Sequence, residues 1–270
     1  MELKIEQRDP GKLISGAVHW LKEYYEQAGL QSWIVGVSGG IDSTVVERLC
    51  EATGKPIIAI AMPMWMHTDS DPNSLRRAMN LCVGRKDVHF QIRPIGSIVE
   101  AYKKAGIAIS GSNQQLSQGN LRSRIRADIL RDAAGASGGC VVGTGNYDED
   151  AIGYFTKGGD GDVDLCPLSL IHKCEVYAMA KEFGNAYKNL YVPKDNCEAI
   201  PTAGLWDYQT DESELGMKYD EIGEIIEFQN HSGDKEKLFA RQREVFDKVE
   251  HMRKVNAHKL AFPPVYRPES

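Results

Sequence analysis

The chain has no run long and apolar enough to span a bilayer, and its polar opening, MELKIEQRDP, carries no charged-then-apolar leader. A soluble, intracellular (cytoplasmic) protein is expected, without a membrane partner. No C-x-x-C pair occurs among Cys50, Cys82, Cys140, Cys166, Cys174 and Cys197, and 270 residues can bury a core without a disulfide framework. Reduced thiols fit that pattern. Basic residues do not predominate: 32 Lys and Arg face 38 Asp and Glu, a formal charge of -6. That balance argues against a nucleic-acid partner, whose phosphates call for a broad basic surface. Internal repeats and long linkers are missing too, so residues 1–270 are expected to form a single domain.

What is present is concentrated in Ile34-Val-Gly-Val-Ser-Gly-Gly-Ile-Asp-Ser43, an apolar strand running into a Ser- and Gly-rich turn and then a helix. The glycines allow backbone to approach a ligand closely, and the unpaired N–H groups at the helix start near Asp42 attract an anion. Ser38 and Ser43 add hydroxyls, and Asp42 offers a carboxylate where a phosphate-bound Mg²⁺ would sit. The turn has neither the lysine of a Walker A loop nor the G-x-G-x-x-G dinucleotide spacing. It resembles the SGGxDS loop of the N-type ATP pyrophosphatases, which grip the β,γ-pyrophosphate of ATP during attack on the α-phosphate. A ligand-free glycine turn is the bland alternative.

Around this loop the pattern alternates. Trp33–Val37, Pro56–Met62, Val88–Ile92 and Cys140–Gly143 read as short strands. Helical spacing occupies Lys12–Ala28, Thr44–Ala52, Asn73–Val83, Ser97–Ala105 and Leu116–Ala134. The expected fold is α/β: a doubly wound parallel sheet flanked by helices, with a helical carboxyl-terminal part at Tyr219–Gln229 and Lys235–Ala257. Ligands of such sheets lie beyond the carboxyl ends of the strands, where the Ser38–Ser43 loop and the Gly143-Thr-Gly-Asn146 turn both fall. Gly153–Asp164 and Asn196–Leu215 read as mobile loops over the crevice.

Four further blocks follow the loop: GNLRSRIRADIL, GTGNYDEDAIGYFTKGGDGDVDLCPLSLIHKCEV, PTAGLWDYQTDESELGMKYDEI and AHK. Together they resemble the NAD synthetases, over about Ile14 to Lys259, in an adenine nucleotide alpha-hydrolase-like fold. The resemblance implies a carbon–nitrogen ligase that adenylates the nicotinate carboxylate of deamido-NAD with ATP and lets ammonia displace AMP. It implies a homodimer, for which the apolar face of Leu116–Ala134 is a candidate interface. Gly36, Val37, Ser38, Gly39, Gly40, Ile41, Asp42 and Ser43 match the ATP loop, and Thr144, Lys173 and Thr202 match further ATP contacts. Asp42 and Glu149 match the Mg²⁺ ligands, while Arg124, Lys157, Asp164, His258 and Lys259 match the deamido-NAD contacts. Asp42, Lys173 and Asp164 are the catalytic candidates.

The chemistry suits these residue types. Two anions must meet and the leaving pyrophosphate gains charge, so Mg²⁺ and lysine matter more than a base. Ammonia reaches the site mostly as ammonium, which a carboxylate such as Asp164 can hold and deprotonate. Plainer readings exist for each: Glu149 as a helix-start acid, Arg124 on a solvated basic face with Arg122, Arg126 and Arg131, and His258 and Lys259 in a frayed tail. Lys173 at a helix start opposes the dipole, which favours an anion-facing role. The chain departs from the family at Ala61, where an adenine-contacting Arg is usual, along Pro63–Pro72, and at Gly158 and Asp162. GMP-synthetase-like amidation or tRNA thiolation would use the same ATP loop, but thiolation calls for a catalytic cysteine pair and a basic RNA surface. A nucleotide-sensing module would need the cradle without Lys157, Asp164 or Lys173.

Overall fold

A computed structural model describes residues 2–65, 73–106, 114–202, 209–231, 233–262 and 264–266. The chain begins with α1 (Pro10–Ala28), then β1 (Ser32–Gly36), α2 (Ile41–Ala52), β2 (Ile57–Ala61), α3 (Ser74–Cys82), β3 (Val88–Ile92) and α4 (Gly96–Lys104). It continues through α5 (Gln114–Ser137), β4 (Gly139–Val142), α6 (Tyr147–Ile152), α7 (Lys173–Ala186), α8 (Lys194–Cys197), α9 (Asp211–Leu215), α10 (Tyr219–Asn230) and α11 (Ala240–Val255). The sheet is parallel, in the order β3-β2-β1-β4, with Trp33 opposite both Ile57 and Cys140.

Alternation along the strands divides the core in two, since successive side chains leave a strand on opposite faces. Trp33, Val35, Ala59 and Val142 pack with α1, α2 and α7 on one face. Ile34, Ile60 and Val141 pack with α4 and α5 on the other. The order places a topological switch between β1 and β4: the chain winds outward to β3 and returns to the opposite side of β1. The loops leaving β1 and β4 therefore splay apart at the carboxyl edge and open a crevice. A third cluster, built on Ile222, Ile225, Val245 and Val249, joins α10 and α11 to α6.

The expected doubly wound sheet is present, with corrections at particular elements. The helix expected over Lys235–Ala257 is a short 3₁₀ turn at Lys235–Lys237 followed by α11. The interruption has a cause: the Asp234 carboxylate caps the short turn at Glu236 N, and Gln242 Oε1 accepts from Phe239 N to start a new helix. On the apolar side of α5, Ile125 and Ala134 are buried against the protein's own sheet, while Leu116 is exposed. The Gly153–Asp164 stretch is not a loose lid. Asp160 accepts from Ser123 Oγ at 2.6 Å and Thr156 N at 3.0 Å, and Thr156 Oγ1 donates to Asn120 at 2.9 Å. Parts of Pro63–Pro72 and Asn196–Leu215, at 66–72 and 203–208, lie outside the described residues. Among the described residues no helix is long and apolar enough to cross a membrane.

Candidate active site

The loop between β1 and α2 is shaped by one glycine above all. Gly39 has φ of +80°, and a Cβ there would meet the Ser74 carbonyl oxygen at 2.4 Å, so neither backbone nor space tolerates a side chain. Arg77 Nε donates to the Gly39 carbonyl at 2.8 Å from α3 and holds the turn down. The two serines tie the loop together, with Ser38 Oγ 3.0 Å from Ser43 Oγ and accepting from Gly40 N at 3.2 Å. Gly40 is the N-cap of α2 and brings no side chain to the cap. The first N–H groups of α2 are thus directed toward the crevice with the helix dipole behind them, as an anion site requires.

Against this first turn, which carries Asp42 as its second residue, stand two charged groups from distant parts of the chain, Glu149 and Lys173. Asn146 caps α6 and forms a capping box with Glu149, which turns Glu149 inward; its Nδ2 donates to Asp42 Oδ1 at 3.1 Å. Lys173, the first residue of α7, puts Nζ 2.6 Å from Asp42 Oδ2 and 3.3 Å from Glu149 Oε1, and its side chain is 2% exposed. Burial works against the Lys173 charge, but Asp42 and Glu149 outweigh it and raise its pKa above the ordinary lysine value. Glu149 goes the other way: burial pushes it to about 7, since Lys173 lies closer to Asp42 and the Asp42 and Asp211 charges oppose a second anion.

The donor set fits a hard divalent cation. Asp42 and Glu149 present carboxylate oxygens to one point, where the Lys173 ammonium already holds positive charge between them. Mg²⁺ takes one or two carboxylates, keeps waters and completes its shell with phosphate oxygens. Among the described residues no cluster of three or more His, Cys, Asp or Glu forms an all-protein metal cage.

α7 is anchored so that Lys173 cannot drift. The Asp148 carboxylate accepts from Lys173 N at 2.8 Å and lies 2.6 Å from His172 Nδ1; Glu227 Oε1 is 3.3 Å from His172 Nε2. Glu175 accepts from His172 N at 3.1 Å and from Arg8 N at 2.9 Å. Burial disfavours charge on His172, but its contacts with Asp148 and Glu227 prevail and raise its pKa above that of free imidazole. A raised folded pKa means that the stabilisation is complete below about 6.5, the unfolded value, and is lost as pH climbs through the folded one. The melting temperature is therefore expected to fall as pH rises from about 6 to 9, and the difference between wild type and His172→Gln to shrink over the same interval. Glu149 and Glu47, the latter pushed by burial to about 8, act with the same sign. Melting curves of both proteins across that range separate His172 from them, and a constant difference would refute its role.

Most of the residues expected from sequence line one cavity of about 700 Å³. They are Gly36, Val37, Ser38, Gly40, Ile41, Asp42, Ser43, Arg124, Thr144, Glu149, Lys157, Lys173, Thr202, His258 and Lys259. Gly39 lies behind the loop, and Asp164 stands outside the lining: Oδ2 accepts from Val141 N at 2.8 Å and Oδ1 is paired with Arg131. The tail at His258 and Lys259 is not frayed. Lys157 Nζ donates to the His258 carbonyl at 2.9 Å, and Lys259 Nζ to the carbonyls of Gly153 and Phe155 at 2.8 and 2.7 Å. Asp162, one of the departures, bonds Arg131 at 2.9 Å. Sequence reasoning passed over Arg77, Asp211 and Tyr219. Asp211 and Tyr219 lie in a quoted block, whereas Arg77 sits in an unremarkable amphipathic helix.

The chain matches the family described as NAD synthase over residues 13–263. It is 37% identical over 204 residues to an NH(3)-dependent NAD(+) synthetase of Methanococcoides burtonii, covering 75% of this chain and 73% of that one. Its backbone is similar to the NMN synthetase of Francisella tularensis, with a TM-score of 0.82 at 26% identity over 96% of this chain and 99% of the other. It also shares the fold of the NH3-dependent NAD synthetase of Campylobacter jejuni, with a TM-score of 0.73 at 23% identity over 96% and 100%. An uncapped helix start facing a lysine held between two carboxylates, with this match along nearly the whole chain, leads to one conclusion: the chain belongs to the NAD synthase family.

Proposed function

We propose that this chain is an ammonia-dependent NAD synthetase that converts deamido-NAD to NAD with ATP, releasing AMP and pyrophosphate. The observation that carries the reading is the placement of Lys173 between Asp42 and Glu149, beside the uncapped start of α2. In the first step a nicotinate carboxylate oxygen bonds to the α-phosphorus while the bond to the bridging oxygen breaks and pyrophosphate leaves. The N–H groups of α2 and the hydroxyls of Ser38 and Ser43 hold the leaving group, and Lys173 offsets the charge of the two meeting anions. Asp42 and Glu149 would hold Mg²⁺, which would supply further neutralisation of phosphate charge. Thr144 and Thr202 belong to the ATP side; Arg124, Lys157, His258 and Lys259 belong to the acceptor side. In the second step the ammonia nitrogen bonds to the acyl carbon, the bond to AMP breaks, and one proton passes to a base.

Asp164 is proposed to hold ammonium and take that proton, which requires its Arg131 contact to open. Because Asp164 is engaged by Arg131 and the Val141 N–H and stands outside the cavity lining, Asp164→Asn is expected to slow NAD formation by about tenfold, below the usual range for general acid–base groups. Pyrophosphate release in the first turnover is expected to slow less, and higher pH, which supplies free ammonia, to restore part of the loss. Equal slowing of both steps with no pH rescue would reduce Asp164 to substrate positioning.

A single domain, a homodimer and a cytoplasmic setting complete the proposal; GMP-synthetase-like amidation and tRNA thiolation are not favoured. A second reading concerns only the acceptor. The backbone likeness to the Francisella tularensis NMN synthetase exceeds that to the Campylobacter jejuni enzyme. That likeness favours a test of nicotinate mononucleotide, which carries the same reacting carboxylate without the adenylate half. The experiment incubates the protein with ATP, Mg²⁺, ammonium and either acceptor, and scores AMP with NAD or NMN. ADP in place of AMP would refute the adenylation mechanism, and the ratio of kcat/KM for the two acceptors decides between the readings.

A further inference from the structure

We propose that Tyr219 is a positioning residue that sets the Glu149 carboxylate in place for a divalent cation, an inference that rests on Asp42 and Glu149 being the Mg²⁺ pair. The grounds are geometric. Tyr219 Oη lies 2.8 Å from Glu149 Oε1 and 2.9 Å from Asp211 Oδ2, and the face of its ring is 4.5 Å from Lys173 Nζ. One side chain from the carboxyl-terminal helices thus touches both the carboxylate and the ammonium at the centre of the site. Its other neighbours hold Glu149 less closely. Glu149 Oε2 accepts from Asn146 N only at 3.4 Å, and Lys173 is nearer to Asp42 than to Glu149. The Tyr219 hydroxyl makes the short bond.

The local sequence accounts for this placement. Gly216 ends α9 with φ of +63°, and the chain turns at once into α10, of which Tyr219 is the first residue. Tyr219 N donates to Glu212 Oε1 at 3.1 Å, which fastens the corner. Asp211, the first residue of α9, and Tyr219 are thereby brought side by side, both 5% exposed. The Tyr219 oxygen is held between the two carboxylates, and the Tyr154 hydroxyl stands next to Asp211, 3.4 Å from its Oδ1, donating to Glu214 at 2.8 Å. Groups that orient a ligand typically contribute on the order of 10–100-fold in metal affinity.

Mn²⁺ serves as the probe, titrated by electron paramagnetic resonance into the full-length protein with α,β-methylene-ATP, which cannot release pyrophosphate. Tyr219→Phe keeps the ring beneath Lys173 and removes only the hydroxyl; it is expected to weaken Mn²⁺ binding on the order of 10–100-fold. In a Glu149→Gln background the same substitution is expected to add nothing, because the carboxylate through which it acts is gone. Wild-type Mn²⁺ affinity in Tyr219→Phe, or an equal loss in the Glu149→Gln background, would overturn the proposal. Undiminished Mn²⁺ binding in Glu149→Gln alone would instead overturn the metal pair itself, and the proposal with it. If Tyr219→Phe does not fold, Asp211→Asn is compared with Asp211→Asn/Tyr219→Phe, where a single carboxylate is left without the hydroxyl and the same loss is expected.

Discussion

Methionine in place of Lys173 is expected to slow the first-turnover release of pyrophosphate on the order of 10²–10³-fold, about 3–4 kcal/mol of barrier. The unbranched stem is kept to within one atom, so most of the space beside Tyr219 stays filled while the charge goes. Two effects then add. The developing charge on the transferred phosphate loses its counterion, and Asp42 and Glu149, 2.6 and 3.3 Å from the missing ammonium, face each other unscreened. Protonation of Glu149, already pushed by burial to about 7, relieves the repulsion and removes a cation ligand in doing so. Rapid-quench measurement of pyrophosphate, with a melting curve to show that the variant is folded, checks the expectation. An unchanged burst would exclude Lys173 from adenylation. Arginine is expected to rescue poorly, because a planar fork does not fit where the native side chain is only 2% exposed.

Asp42→Asn is expected to cost about a hundredfold in turnover, near 3 kcal/mol, with the fold retained. The amide preserves the shape of the side chain, while Lys173 loses its closer partner. A neutral amide is also a poorer ligand for a hard cation, so the Mg²⁺ concentration for half-maximal rate should rise. Full activity at saturating Mg²⁺ would refute the assignment. Because Asp42 and Lys173 share one ion pair, the double variant Asp42→Asn/Lys173→Met should lose less than the product of the two single losses.

Local signals carried the fold far. The Val88–Ile92 strand and the strands near Trp33 and Cys140 declared themselves through short apolar runs, and the loop after β1 through its glycines, hydroxyls and acid. These features depend on residues a few positions apart. The interruption before α11 was missed because Phe239 and Gln242 form a cap without the usual Ser, Thr, Asp or Asn. The short helices α8 and α9 offer too few turns for periodicity to register.

The sequence alone determined the class of fold, the phosphate-holding turn and, through its blocks of resemblance, the family and its candidate residues. Tertiary structure decided which of them meet. It set Lys173 against Asp42 across 131 positions of chain, drew Tyr219 to Glu149 across 70, and bound Asp164 to Arg131 outside the cavity. No periodicity records such pairings: burial of a charge depends on partners that other elements deliver, and register and helix packing alone bring those partners within hydrogen-bond reach.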